Sequence, residues 1–477
     1  MKRPLNFTLT LILGVVFATT VYAQPPKLAI TQLFGFACDS TGQTCVDGEN
    51  PNSLIQSSDG NFYGTAPFSG SDTQTSFGTV FKITPSGQLT VIYTFRPNQN
   101  HEYANGAAPS SLVEGNDGFL YGTTIYGGNT NGAGVVFKLS KTGVIHTLHQ
   151  FCSLAQCADG SGPDHLMLAS DGNLYGATQQ QGNTGGVLFR ITPSGSYKVL
   201  HTFDLNTEGP AGLGMTEASD GNLYGTTVGA QTVITSLFRL TPAGKFTVLH
   251  IFHYAQFPDS SPILAANGKL YGALSRFSDQ VKLGIFECNL SGQEFQQIPL
   301  QISFNSSIPH ILQASDGNLW GTNIGDGDSH NGTIVSLSPH GKTLQNVSFE
   351  GTNGSVPDAV VQSSDGTILG LTVWGGSVTQ GDVASGVVYT LDAGLAAPKP
   401  SIVILTPSRG KMGSQVRIYG DHLVGSTQVT FNGVSATFQV LNVHTISATV
   451  PQGATTGLIA VTNAGGTTTS KKNFTVQ

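Results

Sequence analysis

The chain comes back to one short turn seven times. Ser170-Asp171-Gly172-Asn173-Leu174-Tyr175-Gly176-Ala177-Thr178 is the clearest copy, and the glycines of the related turns are Gly60, Gly118, Gly172, Gly221, Gly268, Gly317 and Gly366. Their spacings are 58, 54, 49, 47, 49 and 49 residues. A unit of about 50 residues in seven copies rules out one ordinary core and points to a repeat architecture.

The third unit shows what each copy folds into. Residues 166–169 are a short apolar strand. Asp171-Gly172 supplies the positive φ of a tight hairpin, and residues 174–178 form the second strand. Residues 186–191 form a third strand and Thr192-Pro193-Ser194-Gly195 a second turn. Residues 197–203 form the fourth strand, so the unit is an antiparallel meander. Such a sheet is apolar on both faces, and sheets packed face to face in a ring hide both. The expected fold is therefore all-β: a seven-bladed β-propeller over residues 24–394. Its four-stranded blades fall near 49–95, 105–151, 160–203, 208–252, 259–300, 307–349 and 355–394. A solenoid needs only about 20–30 residues per repeat.

The ends of the repeat array fit this reading. The last unit has no fourth strand of its own, whereas residues 28–36 read like the fourth strands that end at Phe95, Phe151, Phe203 and Phe252. The N-terminal strand is expected to complete the last blade and cover its open edge. Ala-Ala-Pro-Lys-Pro follows Leu395, and residues 395–399 are read as a short stiff linker. Residues 400–477 carry short alternating strands divided by Gly and Asn turns, the pattern of a β-sandwich.

Residues 1–23 read as a cleaved secretory signal, with Lys2 and Arg3, an apolar run from Leu9 to Ala18, and Val21-Tyr22-Ala23 before the cut. The protein is thus expected to be exported: secreted, periplasmic or loosely surface-associated, with no transmembrane segment after cleavage. Cys38 with Cys45 and Cys152 with Cys157 each flank a short loop after the same repeat element, and two local disulfides are expected, four free thiols being the alternative. Cys288 stands at a core position of the repeat. The net charge of −7 becomes −9 without Lys2 and Arg3, 19 basic residues against 28 acidic, which argues against nucleic acid as a partner.

The repeat resembles the bacterial GloVer repeat, through residues 218–227 with 236–252, which include Asp-Gly-Asn-Leu-Tyr-Gly-Thr-Thr and Phe-Arg-Leu-Thr-Pro, and through residues 58–65 with 78–95; the resemblance covers about 28–394. That resemblance implies an exported protein and no known activity. The C-terminal part resembles an IPT/TIG domain through Ile404–Gly413, Val429–Gly433, Ile446–Pro451 and Gly457–Thr462, which implies an immunoglobulin-like sandwich. Asp316-Gly317-Asn318-Leu319-Trp320 is similar to the repeat of streptogramin lyase propellers, but their Phe-Thr-Glu is absent, so no lyase activity follows.

Most polar repeats have structural explanations: the turn aspartates favour hairpins, and His149, His201 and His250 share one fourth-strand position. The inner strands are different. Seven residues before the turn glycines stand His165 and His310, and four before them stand Glu114 and Glu217, where the other copies have different residues. Two histidines and two glutamates at a channel could supply acid and base, or else hydrogen-bond to water. Trp320 and Trp374, on adjacent blades, are candidates for a sugar-stacking platform or for packing between blades. No cofactor or metal is expected. The leading expectation is a non-enzymatic binding or scaffold protein that presents loops to a polysaccharide or a cell-surface protein. The alternative is a lyase or hydrolase acting on a polysaccharide or small cyclic ester with His165, His310, Glu114 and Glu217.

Overall fold

The computed structural model describes residues 28–42, 44–69, 77–100, 102–179, 185–212, 214–227, 234–252, 256–276, 284–300, 307–325, 327–379 and 381–477. The expected signal at 1–23 lies outside them. Among the described residues the chain is all-β, with a single 3-10 turn at Ala155–Cys157.

Residues 30–391 form seven small antiparallel sheets, numbered here by the order of their turns. Sheet one is Ser53–Gln56, Phe62–Ala66, Thr79–Ile83 and Leu89–Thr94, in chain order. Sheets two to six repeat this plan within residues 107–150, 163–202, 215–252, 256–299 and 311–348. In sheet five two short segments, Gln256–Pro258 and Ile263–Leu264, share the place of the first strand. Sheet seven takes three strands from residues 355–391 and its outer strand from Ile30–Cys38, antiparallel to Val383–Leu391. The N-terminal strand thus completes the last sheet.

The repeated letters have direct physical reasons. In the Asp-Gly turn, Asp171 Oδ1 accepts the Asn173 N–H at 2.9 Å and Oδ2 accepts the Tyr175 hydroxyl at 2.8 Å. Tyr63–Asp59, Tyr121–Asp117 and Tyr224–Asp220 repeat the second bond at 2.7–2.8 Å. The glycine after each of these tyrosines lies opposite a phenylalanine of the third strand: Gly64 with Phe81, Gly122 with Phe137, Gly176 with Phe189. A Cβ on Gly176 would come within 2.3 Å of the Phe189 ring, so the ring requires a glycine across from it.

The sheets pack in series. Tyr63 and Val80 of sheet one share an apolar cluster with Leu112, Leu120 and Phe137 of sheet two. Equivalent clusters join each later pair of neighbours. One further cluster joins Leu369, Leu371 and Val388 of sheet seven to Leu54, Phe62 and Phe81 of sheet one. A proline in or just before the first strand contributes to the same seam at four junctions. Pro109 lies so close to Gly78 of the previous sheet that a Cβ there would sit 2.4 Å from its Cδ. Pro163 meets Gly134, Pro357 meets Gly332, and Pro51 of sheet one meets Gly386 of sheet seven in the same way.

Residues 404–476 form two four-stranded sheets and a short two-stranded one around Val416, Ile418, Val429, Phe431, Ile446 and Val461, an immunoglobulin-like sandwich. It rests on the end of the repeat domain where the Asp-Gly turns lie. Asn116 donates to the Tyr419 hydroxyl at 3.3 Å and accepts from Asn442 at 2.9 Å. The linker follows the same side, where Ser315 Oγ donates to the Ala396 carbonyl at 2.7 Å.

Both expected disulfides are present, Cys38–Cys45 and Cys152–Cys157. Cys288 is buried in the core between sheets four and five, and burial pushes its thiol pKa up to about 12.

The N-terminal strand buries Phe36 completely and covers the strand that carries Val387 and Val388. Removing residues 24–36 takes away that burial and a ladder of backbone bonds, and is expected to lower Tm by at least about 5 °C. An unchanged calorimetric melt would mean that the last sheet does not need its outer strand.

Candidate functional site

The four inner-strand candidates separate into two places. Glu114 and Glu217 sit beside the Asp-Gly turns and reach into the turn of the preceding sheet. Glu114 accepts the Ser58 N–H at 2.8 Å and the Ser58 hydroxyl at 2.7 Å. Glu217 accepts the Ser170 N–H at 2.7 Å and its hydroxyl at 2.5 Å. Glutamines do the same elsewhere: Gln313 accepts the Ala266 N–H at 2.7 Å, Gln362 that of Ser315 at 2.9 Å, and Gln56 that of Ser364 at 2.9 Å. Five of the seven sheet junctions carry this fastening, and the Gln56 bond joins sheet one to sheet seven. At the other two junctions the position is Leu168 or Leu264.

Glu114 has a second restraint. Its side chain is 1% exposed, and Lys141 Nζ lies 2.6 Å from Oε1, which neutralises the buried carboxylate. Burial pushes the pKa of Glu217 up, and the two bonds from Ser170 offset part of the rise. Both groups therefore serve the joints between sheets. The sequence signal for this role was the return of Gln or Glu at one register; side-chain reach across a junction is not visible in one repeat alone.

His165 and His310 lie three residues earlier than this position, His165 on its strand and His310 just before the strand Ile311–Gln313. His310 Nε2 is 3.0 Å from Asp358 Oδ1, across the junction between sheets six and seven. His165 Nδ1 is 3.8 Å from Asp164 Oδ2, too far for a hydrogen bond. A side chain at Gly214 would press on His165, since a Cβ there would lie 3.1 Å from its ring. Burial pushes the His165 pKa down; the Asp164 carboxylate opposes that and His310 adds to it. Asp259 lies close enough to feel His310. Burial pushes its pKa up, although its carboxylate accepts the Ser307 hydroxyl at 2.6 Å and the Ile308 N–H at 2.5 Å. The structure thus brings the two histidines near three aspartates, and leaves Glu114 and Glu217 out.

Among the described residues, the one set of three Cys, His, Asp or Glu donor atoms gathered within 4.8 Å is Cys38, Cys45 and Glu49, and that cysteine pair is a disulfide. His165, His310, Asp164, Asp259 and Asp358 do not form such a set.

The tryptophan pair requires a correction. Trp320 is 1% exposed and occupies the place of the repeat tyrosine, with its Nε1 3.5 Å from Asp316 Oδ2. It belongs to the apolar cluster between sheets six and seven, so no sugar ring can stack on it. Trp374 is 49% exposed, at the far end of its strand. The two do not form one platform. The fourth-strand histidines act in packing: His149, His201 and His250 stack on Tyr197, Phe246 and Phe295 of the next sheet, with ring centres 3.6–3.8 Å apart.

Residues 50–277 match the family model of the Gloeobacter/Verrucomicrobia repeat, and residues 400–476 match that of the IPT/TIG domain. The chain carries the Gloeobacter/Verrucomicrobia repeat followed by an IPT/TIG domain. The repeat match ends within sheet five, where Asn267 replaces the turn aspartate, yet sheets six and seven keep the strand order and turns of the repeat. No curated protein matches the chain. Among solved structures it is similar to a fungal alcohol oxidase of the AA5 family in complex with copper. That pair is 12% identical with a TM-score of 0.52, over 93% of this chain and 99% of the other, a likeness of fold alone. A putative gluconolactonase aligns at 12% identity over 78% of this chain and 95% of its own, with a TM-score of 0.39.

Two outcomes follow for the repeat domain. Glu217→Ala leaves the Ser170 N–H and hydroxyl without their acceptor and is expected to cost about 1–3 kcal/mol in urea unfolding, with Glu217→Gln costing less because an acceptor oxygen remains. Equal losses for both variants would show that the bond to Ser170 is not what matters. The second concerns acid. Burial pushes the pKa of Asp59 and Asp117 up, but bonds from Tyr63 and Asn61, and from Lys138, Tyr121 and Phe119, outweigh it and hold both below the ordinary value. A lowered folded pKa gives stability that is complete above the unfolded value of about 4 and is lost as pH falls through the folded one. Tm should therefore hold between pH 7 and 5 and drop below pH 4, with a shallower drop for Asp117→Asn. A Tm that rises on acidification would contradict this assignment.

Proposed function

We propose that the chain is an exported bacterial protein that binds or displays rather than catalyses. Its repeat domain is a seven-bladed β-propeller closed by the N-terminal strand, and the C-terminal immunoglobulin-like domain is seated on one face. The other face presents loops to a carbohydrate or protein ligand. Closure is supported by the junction between sheets seven and one, which repeats the contacts of the other junctions: the Gln56 fastening, the Pro51–Gly386 approach and a shared apolar cluster. Export is supported by the N-terminal signal pattern and the two disulfides. No helix among the described residues is long and apolar enough to cross a membrane.

The observation that carries the non-catalytic reading is the fate of Glu114 and Glu217. The acid–base set read from the sequence needs them beside His165 and His310, and both are held instead in the joints between sheets. A second reading, a lyase or hydrolase for a polysaccharide or small cyclic ester, draws on His165 and the His310–Asp358 pair alone.

Purified residues 24–477 tested on a glycan array and in a cell-wall pulldown, with and without EDTA, separate these readings. Expected is saturable, EDTA-insensitive binding that survives His165→Ala/His310→Ala. Turnover of a polysaccharide or lactone that disappears in that double variant would overturn the proposal in favour of the enzyme.

A further inference from the structure

Three neighbouring sheets carry an exposed aromatic ring at one and the same place. Phe68, Tyr126 and Trp374 each stand four residues after the strand glycine, Gly64, Gly122 and Gly370, at the end of the second strand remote from the Asp-Gly turns. Their pairing partners, Glu49, Ala107 and Ser355, are equivalent in the three sheets. Identical register sends the three rings off the same side of their sheets. They are 47%, 58% and 49% exposed. Sheets four, five and six have Gly229, Arg276 and Gly325 at this position, and sheet three has Gln180, so the rings are confined to sheets seven, one and two. Phe77, 43% exposed and packed edge-on against Tyr103 with centres 5.1 Å apart, lies on the same rim.

The connection facing each ring carries a glutamate; the Glu49 carboxylate accepts the Ser69 hydroxyl at 3.1 Å, and that of Glu102 accepts from the Asn98 amide at 3.0 Å. Glu49 bridges directly to Phe68 through the backbone. Glu102 precedes Tyr103, whose carbonyl accepts the Gly128 N–H at 2.8 Å, two residues beyond Tyr126. Glu350 precedes Gly351, whose carbonyl accepts the Gly376 N–H at 2.8 Å, two residues beyond Trp374. Among the described residues of the connections 39–52, 67–78, 95–106, 349–354 and 375–382, Asp39, Asp47, Glu49, Glu102, Glu350 and Asp382 face a single basic residue, Arg96.

Exposed aromatic rings on a rim whose connections are acidic suit an ammonium or guanidinium group, which an aromatic face and a carboxylate both attract. Packed sheets stand about 10 Å apart, and an extended or polyproline II chain rises about 3.1–3.4 Å per residue. Successive rings are then about three residues of such a chain apart. We propose that this rim binds an extended polypeptide segment bearing Lys or Arg at about every third residue, one cation to each ring–glutamate pair. The proposal rests on the binding reading above and names its ligand.

The probe is a labelled peptide (Lys-Ser-Pro)4, with (Glu-Ser-Pro)4 as control, titrated into disulfide-intact residues 24–477 by fluorescence anisotropy. Expected is salt-sensitive binding of the lysine peptide alone. It should weaken at least tenfold in Phe68→Ala/Tyr126→Ala/Trp374→Ala, and again in Glu49→Gln/Glu102→Gln/Glu350→Gln, at unchanged Tm. Intrinsic fluorescence gives a second readout, because Trp374 is the one exposed tryptophan of the two. Equal affinity for the glutamate peptide, or binding unaffected by both triple variants, overturns the inference. No peptide binding, with a neutral glycan released by the aromatic variant, also overturns it and leaves the binding reading standing. Dimerisation lost in the aromatic variant, seen by sedimentation, would assign the rim to a second copy instead.

Discussion

A four-stranded sheet that is apolar on both faces cannot stand alone in water. Every other feature of the repeat domain depends on giving each sheet two neighbours. The residues that recur do so because they manage that contact. Glycines opposite phenylalanines let the third-strand ring lie flat over the second strand, and prolines pressed against neighbouring glycines bring the backbones of two sheets together. The Glu and Gln acceptors then fix the separation by binding the turn N–H of the previous sheet. These contacts act together, so a junction that loses its polar fastening, as at Leu168, still holds through its apolar cluster.

Much of this was legible in the sequence because a repeat shows the same solution several times. The Asp-Gly turns, the four strands and the orphan N-terminal strand could be placed from local pattern alone, and the strand from Ile30 takes the position expected for it. What could not be read were contacts between copies. Glu114 and Glu217 looked like breaks in the pattern, when their departure from Gln keeps the same acceptor. For Trp320 the sequence left sugar stacking and packing between blades both open, and it fills the buried place of a tyrosine. The exposed ring at Tyr126 escaped notice because it lies just past the repeated motif, where only its register relative to Phe68 and Trp374 gives it meaning.

The ends of the repeat domain are chemically unlike each other. The turn end holds paired charges, such as Asp117 with Lys138 at 2.7 Å, and is partly covered by the C-terminal domain. The opposite end gathers acidic connections, exposed rings and the histidines of the inner strands. One backbone plan, repeated, thus produces a face given to internal attachment and a face left open. The turn end draws on the recurring aspartates, such as Asp117, and the opposite end on residues that differ from copy to copy.

Asn116 shows what an imperfection in such an array makes possible. It stands at the turn position that elsewhere donates to a Glu or Gln of the next sheet, but there the next sheet offers Leu168, and the Asn116 side chain is engaged by Tyr419 and Asn442 of the C-terminal domain. A set of near-identical units gives an appended module no reason to prefer one bearing over another. A unit that departs from its neighbours acts as an index mark on a dial. By keying to it, the C-terminal domain takes one azimuth about the array, and whatever it is joined to is aimed in a fixed direction relative to the aromatic rim.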